Sequence, residues 1–156
     1  MSLLDKAMIL LALKTGIRFG ELCAVTWSDI DFKQQKLRIH RQWDYLKGSG
    51  YKSLKARLGN KTKNEDINER YIPLNNQLLN VLLEFKNSSE YFPNPDGRLF
   101  YKNDCAASVM RNRTFNNKLE KHLIDSQIER VTAHCLRHEL DCYKRCKRLC
   151  TVFTWT

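Results

Sequence analysis

The sequence predicts an α+β fold, a mainly helical domain with one small antiparallel sheet in its first half. Apolar residues recur at helical spacing in three separate stretches, around Leu4–Ala12, Leu78–Leu83 and Phe115–Leu123. Between the first two, apolar and polar residues alternate over Lys36–His40 in strand fashion. No internal repeat and no low-complexity linker divides the chain, and 156 residues suit one domain.

Leu3 to Lys14 reads as the first helix, with Leu4, Met8, Leu11 and Ala12 on one side. Starting inside an apolar helix reads as a fragment whose upstream part has been removed, with Met1-Ser2-Leu3 as a possible added leader. Thr15-Gly16 interrupts the pattern, and a second helix is expected from about Arg18 to Val25. Trp27 to Phe32 reads as extended and leads into the Lys36–His40 strand. Tyr45 to Asn60 holds three glycines among basic residues and reads as an exposed cationic loop or hairpin tip. Glu69 to Leu74 is a further strand candidate, stopped by Pro73, and Leu74 to Phe85 a helix with Asn75 or Asn76 as cap and Leu78, Leu79, Leu82 and Leu83 inward. Pro93–Gly97 is a turn cluster, followed by a short extended piece at Leu99-Phe100. Asp104 is expected to cap a helix running to Asp125, with Val109, Phe115, Leu119, Leu123 and Ile124 turned inward. Thr132 then caps a last helix carrying His134 to His138.

Composition narrows the partner. Lysine and arginine number 27 against 17 acidic residues, a net charge of +10. Such a surplus favours a polyanion, nucleic acid before an acidic membrane surface, although a basic protein whose charge only aids solubility fits equally. The longest apolar run, Ala7 to Leu13, is far short of the roughly 20 residues of a membrane span. It also lacks a basic leader and a cleavage site, so a cytoplasmic protein with reduced thiols is expected. The six cysteines agree: Cys23, Cys105 and Cys135 are scattered while Cys142, Cys146 and Cys150 crowd the end, which is no disulfide framework.

Three remote segments share one chemistry. Thr15-Gly16-Ile17-Arg18-Phe19-Gly20-Glu21-Leu22 precedes Trp27-Ser28-Asp29-Ile30-Asp31. Lys61-Thr62-Lys63 precedes Arg70-Tyr71-Ile72-Pro73-Leu74, and the third segment is His134-Cys135-Leu136-Arg137-His138. Arg18 stands at a helix start with Glu21 three residues on, so one face carries both and the carboxylate can hold the guanidinium. His134 and Arg137 share a helical face in the same way. Two arginines and a histidine brought together make a site for a tetrahedral oxyanion, since the planar guanidinium fork matches two phosphate oxygens at once. For a lone Arg-x-x-Glu, a surface ion pair is the ordinary reading.

Together these segments resemble the tyrosine recombinase family. The Thr-Gly-Ile-Arg-x-Gly-Glu-Leu run with Trp-x-Asp-Ile-Asp behind it is similar to the family's first arginine motif. Lys61-Thr62 ahead of the Arg-x-Ile-Pro-Leu strand is similar to its β-hairpin lysine, and His134-x-x-Arg137-His138 to its second arginine motif. The resemblance covers about Leu4 to His138 and implies the catalytic-domain fold of DNA breaking-rejoining enzymes.

It also implies a reaction: site-specific DNA recombination or integration, in which a tyrosine attacks a phosphodiester, a 3′-phosphotyrosyl link forms and a 5′-hydroxyl leaves, with neither metal nor cofactor. Arg18 and Arg137 would clamp the non-bridging oxygens, His134 would hydrogen-bond the phosphate or assist proton transfer, and Lys61 would protonate the leaving oxygen, with Lys63 as its rival. Glu21 would orient Arg18, and His138 would contribute or simply pack. Lys47, Lys52, Lys55, Arg57 and Lys63 form the expected DNA-contacting stretch, each equally readable as part of a solvated loop. The expected partner is double-stranded DNA in a bacterial or phage-encoded setting. Full-length relatives assemble as tetramers on DNA, while this chain alone is expected to be a monomer.

The family pattern stops at His138. Residues 1–138 are expected to be an incomplete catalytic domain and 139–156 a non-matching tail, disordered or produced by a reading-frame shift near Glu139. The tail carries three of the six cysteines. Its Tyr143, the sole tyrosine after Arg137, would lie roughly 9 Å up a helix axis and about 120° off the direction of Arg137. It is not a credible nucleophile, and the chain is expected to be inactive, reduced to gripping DNA phosphate. His134, His138, Cys142, Cys146 and Cys150 recur every four residues, but His138 and Cys150 on one helix would be roughly 18 Å apart, so metal binding is not expected. The alternatives are a non-catalytic basic nucleic-acid-binding module and a helical interaction module.

Overall fold

The computed structural model describes residues 1–44, 50–53, 69–101, 109–125 and 132–134. Helix α1 (Leu3–Thr15) starts at Ser2, whose Oγ accepts the amide of Asp5 at 3.1 Å, and Glu90 takes the Leu3 and Leu4 amides at 3.0 and 2.9 Å. These bonds satisfy amides that the first helical turn leaves without partners. Gly16 ends the helix in the left-handed region at φ 60°, its amide closing on the Ala12 carbonyl at 2.9 Å, a conformation that costs glycine nothing.

The sequence pattern gives α1 one apolar side, but Ala7 through Leu13 are all buried. A helix apolar all round belongs at the centre of a core, and neighbours cover α1 on every side. Helix α3 (Asn76–Lys86) packs along it, with Leu78, Leu79, Val81, Leu82 and Phe85 buried and Asn75 capping the amide of Leu78 at 2.9 Å. Leu83, expected inward, is 40% exposed, and Val81 and Phe85 take its place. Helix α4 (Asn112–Asp125) closes another side with Phe115, Leu119 and Leu123, and Lys118 pins it to Asp5 of α1 by two 2.8 Å contacts.

Two expectations for α4 are corrected. Val109 to Arg111 are not helical, so the helix begins after them rather than at a cap on Asp104, which lies outside the described residues. Ile124, expected inward, is 68% exposed. It follows Leu123, which takes the buried position, and neighbours on a helix point about 100° apart.

Helix α2 (Phe19–Ala24) is a short turn and a half, followed by a 3₁₀ turn over Trp27–Asp29 where the sequence reads as extended. Asp29 accepts the Thr26 amide and hydroxyl at 2.9 and 2.7 Å, and this local bonding tightens the chain into a turn. Strands β1 (Ile30–Asp31), β2 (Lys36–Ile39) and β5 (Arg70–Pro73) then form an antiparallel sheet in the order β1-β2-β5. Its register pairs Leu37 with Ile72 and Ile39 with Arg70 on the face toward the core, and Arg38 with Tyr71 on the outer face.

A second two-stranded sheet, β3 (Arg41–Trp43) with β4 (Tyr51–Ser53), corrects the expectation of a single sheet among the described residues. His40 separates β2 from β3 and marks the change of sheet. No described helix is long and apolar enough to cross a membrane.

Candidate active site

Gly16 turns the chain so that Ile17 is buried and Arg18 becomes the N-cap of α2, in extended conformation at φ −70°, ψ 150°. Glu21, three residues on, folds back and takes the Arg18 amide on Oε2 at 2.7 Å. It also takes the Arg18 guanidinium on Oε1, with Nη1 at 3.2 Å. The pair expected from the Arg-x-x-Glu spacing is therefore formed. It is no ordinary surface pair, because the Glu21 side chain has no exposed area while that of Arg18 is 44% exposed.

A buried carboxylate needs more than one half-exposed partner. Arg70, at the first position of β5, supplies the second. Its Nη1 reaches Oε1 at 3.0 Å and its Nη2 reaches Oε2 at 2.7 Å, a two-pronged fork across the whole carboxylate. Burial pushes the Glu21 carboxyl up. The Arg70 hydrogen bonds, the Arg18 amide and the charges of both guanidinium groups outweigh that, and the group sits below the ordinary glutamate value. Two cations on one anion leave the cluster with a net positive charge.

The contribution of Arg70 was missed in the sequence. Its signal was present: the alternation of β5 puts Arg70 on the same face as Ile72, which packs against the core, and a charge pointing that way requires a buried counter-ion.

The Trp27-x-Asp29 part of the first segment serves a neighbouring network. Asp29 holds Nε2 of His40 at 2.9 Å through Oδ1 and Nη2 of Arg41 at 3.2 Å through Oδ2. Arg41 also donates to Thr26 Oγ1 at 2.9 Å and lies over the Tyr51 ring at 4.4 Å. A cleft of about 380 Å³ lined by Ser28, Asp29, Lys36, Arg38 and Tyr71 opens on the outer face of the sheet, opposite Arg70. The residues gathered at Glu21 do not line it.

His134 is exposed, at the end of a short described segment. The Ala133 amide donates to Asn116 Oδ1 on α4 at 2.8 Å, and Ala133 packs on the main core. Phe115, beside Asn116, meets the ring of Phe19 at 5.3 Å. A continuous path of contacts thus runs from Arg18's neighbour Phe19 through α4 to His134's neighbour Ala133. Lys61, Arg137 and His138 lie outside the described residues, as do Tyr143, Lys47, Lys55, Arg57 and Lys63. Lys52 lies on β4, with its side chain outside the described residues. Among the described residues no group of three or more potential ligands could hold a metal ion.

The helical core around α1 with its flanking antiparallel strands is the catalytic-domain fold of tyrosine recombinases. The sequence pattern of the phage integrase family matches residues 1–142, and the chain belongs to that family. An integrase of Staphylococcus phage L54a is 31% identical over 128 residues, covering 80% of this chain and 35% of that protein. The ICEBs1 integrase of Bacillus subtilis is 28% identical over 143 residues, covering 87% of this chain and 36% of its own length. The chain therefore spans about a third of the length of these relatives.

Among solved structures, the Tn1549 transposon integrase in complex with circular intermediate DNA matches with a TM-score of 0.59 at 26% identity, over 85% of this chain and 44% of that one. XerH site-specific recombinase bound to a palindromic difH substrate matches with a TM-score of 0.62 over 93% of this chain and 37% of that one, and at 19% identity shares the fold.

Proposed function

We propose that the chain is the phosphate-gripping part of a site-specific DNA recombinase that cuts and rejoins double-stranded DNA through a phosphotyrosyl intermediate. The observation that carries this reading is the Arg18–Glu21–Arg70 cluster, a net-positive group of guanidinium forks built on a buried carboxylate within the family's first arginine motif. Arg18 and Arg137 clamp the non-bridging oxygens of the scissile phosphate and His134 donates a hydrogen bond to it. As the tyrosine phenolate oxygen bonds to phosphorus and the phosphorus–O5′ bond breaks, Lys61 gives the leaving oxygen its proton, with Lys63 two residues away as the rival donor. Lys47, Lys52, Lys55 and Arg57 hold the backbone on either side.

Tyr143 is not the attacking group in this reading, so these residues alone bind DNA without cutting it. Their binding falls steeply with salt, as phosphate-dominated contacts do. The chain by itself is a monomer.

Fluorescence anisotropy of a labelled duplex tests the reading. Arg18→Ala should weaken binding by about tenfold or more, the scale of one charge-assisted contact, and should flatten the dependence of log affinity on log salt. A nicked suicide duplex should trap no covalent protein. Binding that is unchanged in Arg18→Ala would overturn the phosphate assignment, and a covalent adduct would overturn the exclusion of Tyr143.

A further inference from the structure

We infer that Arg70 is a positioning residue for Arg18: its fork fixes the Glu21 carboxylate, and the fixed carboxylate presents the Arg18 guanidinium to a DNA phosphate. The inference rests on the reading of Arg18 given above and extends it to Arg70, which lies 49 positions beyond Glu21 on another element.

The two arginines share Glu21 unequally. Arg70 commits both terminal nitrogens, one to each oxygen, at 3.0 and 2.7 Å. Arg18 commits one, at 3.2 Å, so its Nη2 and Nε are uncommitted among the described residues. Arg18 is also the more exposed of the two, at 44% against 38%. One guanidinium is thus spent on holding the carboxylate, and the other is held by it with donors left over. A bidentate fork fixes the plane of the carboxylate, which one longer contact cannot do.

The backbone gives Arg18 little help. It caps a helix of only six residues, and it follows a residue pair that leaves α1 through the left-handed turn at Gly16. Arg70, by contrast, stands in a strand whose register against β2 is set by four consecutive pairs, Ile39 facing Arg70 itself. Rigidity passes from the sheet to Arg70, from Arg70 to Glu21, and from Glu21 to Arg18 by way of both its amide and its guanidinium. Charge follows the same logic. Glu21 with Arg18 alone would be neutral, and Arg70 leaves the positive charge of Arg18 available to an anion.

Arg70→Lys separates the two effects, because lysine keeps the charge but cannot span both oxygens. With the same labelled duplex, Arg70→Lys should weaken binding by about tenfold, a loss similar to that of Arg18→Ala, and the combined variant should bind within about twofold of Arg18→Ala alone, as for two residues acting through one contact. The ¹⁵N relaxation of the Arg18 Nε–Hε group, read without DNA, should show it ordered in the parent and mobile in Arg70→Lys. An effect that multiplies in the combined variant would mean that Arg70 meets DNA on its own account and would overturn the inference, as would wild-type binding in Arg70→Lys. If Arg18→Ala binds like the parent, the phosphate reading fails first, and the relaxation measurement still decides whether Arg70 orders Arg18. Should Arg70→Lys fail to fold, Glu21→Gln/Arg70→Gln leaves no buried charge unpaired and gives the same two readouts.

Discussion

Replacing Glu21 by glutamine keeps the shape of a side chain with no exposed area and removes its charge. The new amide nitrogen faces donors where Oε2 accepted the Arg18 amide at 2.7 Å and Arg70 Nη2 at 2.7 Å, so two short bonds are lost and two at Oε1 become neutral-acceptor bonds. A bond to a charged group contributes about 1.5–3 kcal/mol. Abandoning a buried charge costs about 3–5 kcal/mol, but the charges abandoned here are guanidinium groups 44% and 38% exposed, which water can reach. The expected cost is about 2 kcal/mol, or a fall in Tm of about 4–8 °C for a domain of this size.

The pH dependence has a definite sign. The folded-state pKa of Glu21 lies below its ordinary value, so the carboxylate stabilises the fold above the unfolded pKa, and that stability is lost as pH falls through the folded one. The gap between parent and Glu21→Gln, followed by thermal melts monitored by circular dichroism, should be widest at neutral pH and should shrink below the carboxylate range. A gap that stayed constant from pH 7 to pH 3 would refute the assignment of Glu21 as a buried anion.

Three further changes test the packing. Leu82→Ala, at a fully buried position of α3 facing α1, should cost about 3 kcal/mol in urea unfolding, through lost transfer energy and a residual cavity. Gly16→Ala places a Cβ at φ 60° and should cost about 1 kcal/mol by the same measurement. Ile124→Ser, at a side chain 68% exposed, should change stability by no more than about 0.5 kcal/mol, whereas the inward placement read from helical spacing would demand several times that.

The helices were legible because a 3.6-residue period over ten or more positions leaves few alternatives: α1 and α3 begin and end within two residues of the expected points. Which face is buried was less legible. In α1 the pattern had too few polar residues to define a face, since the helix is enclosed on all sides. In α3 and α4 one position each, Leu83 and Ile124, lay beside the stripe, and only the neighbouring elements decide how wide a stripe they cover. The 3₁₀ turn at Trp27–Asp29 is written in the hydrogen bonds of Asp29 to Thr26, which spacing rules do not see.

For the site, Arg18 and Glu21 were readable together because a helical offset of three is local. For Arg70 the alternation of β5 shows the inward face, but which carboxylate it meets is fixed by the pairing of β2 with β5 and by the packing of α2 against β3. Long-range complementarity of this kind is a property of the assembled chain. It has no periodic trace in one sequence.

The β3–β4 hairpin is fastened at two points. One fastener is polar, the grip of Asp29 on His40 and Arg41 at the junction where the chain leaves the larger sheet. The other is apolar, Trp43 lodged with Cys23 and Ala24 of α2 while Gly20 stands over its carbonyl, where an added Cβ would come within 3.5 Å of the oxygen. A lever bolted at both places does not swing. The hairpin is thereby tied to the same short helix that begins beside Arg18, so strand pair and guanidinium share one mount.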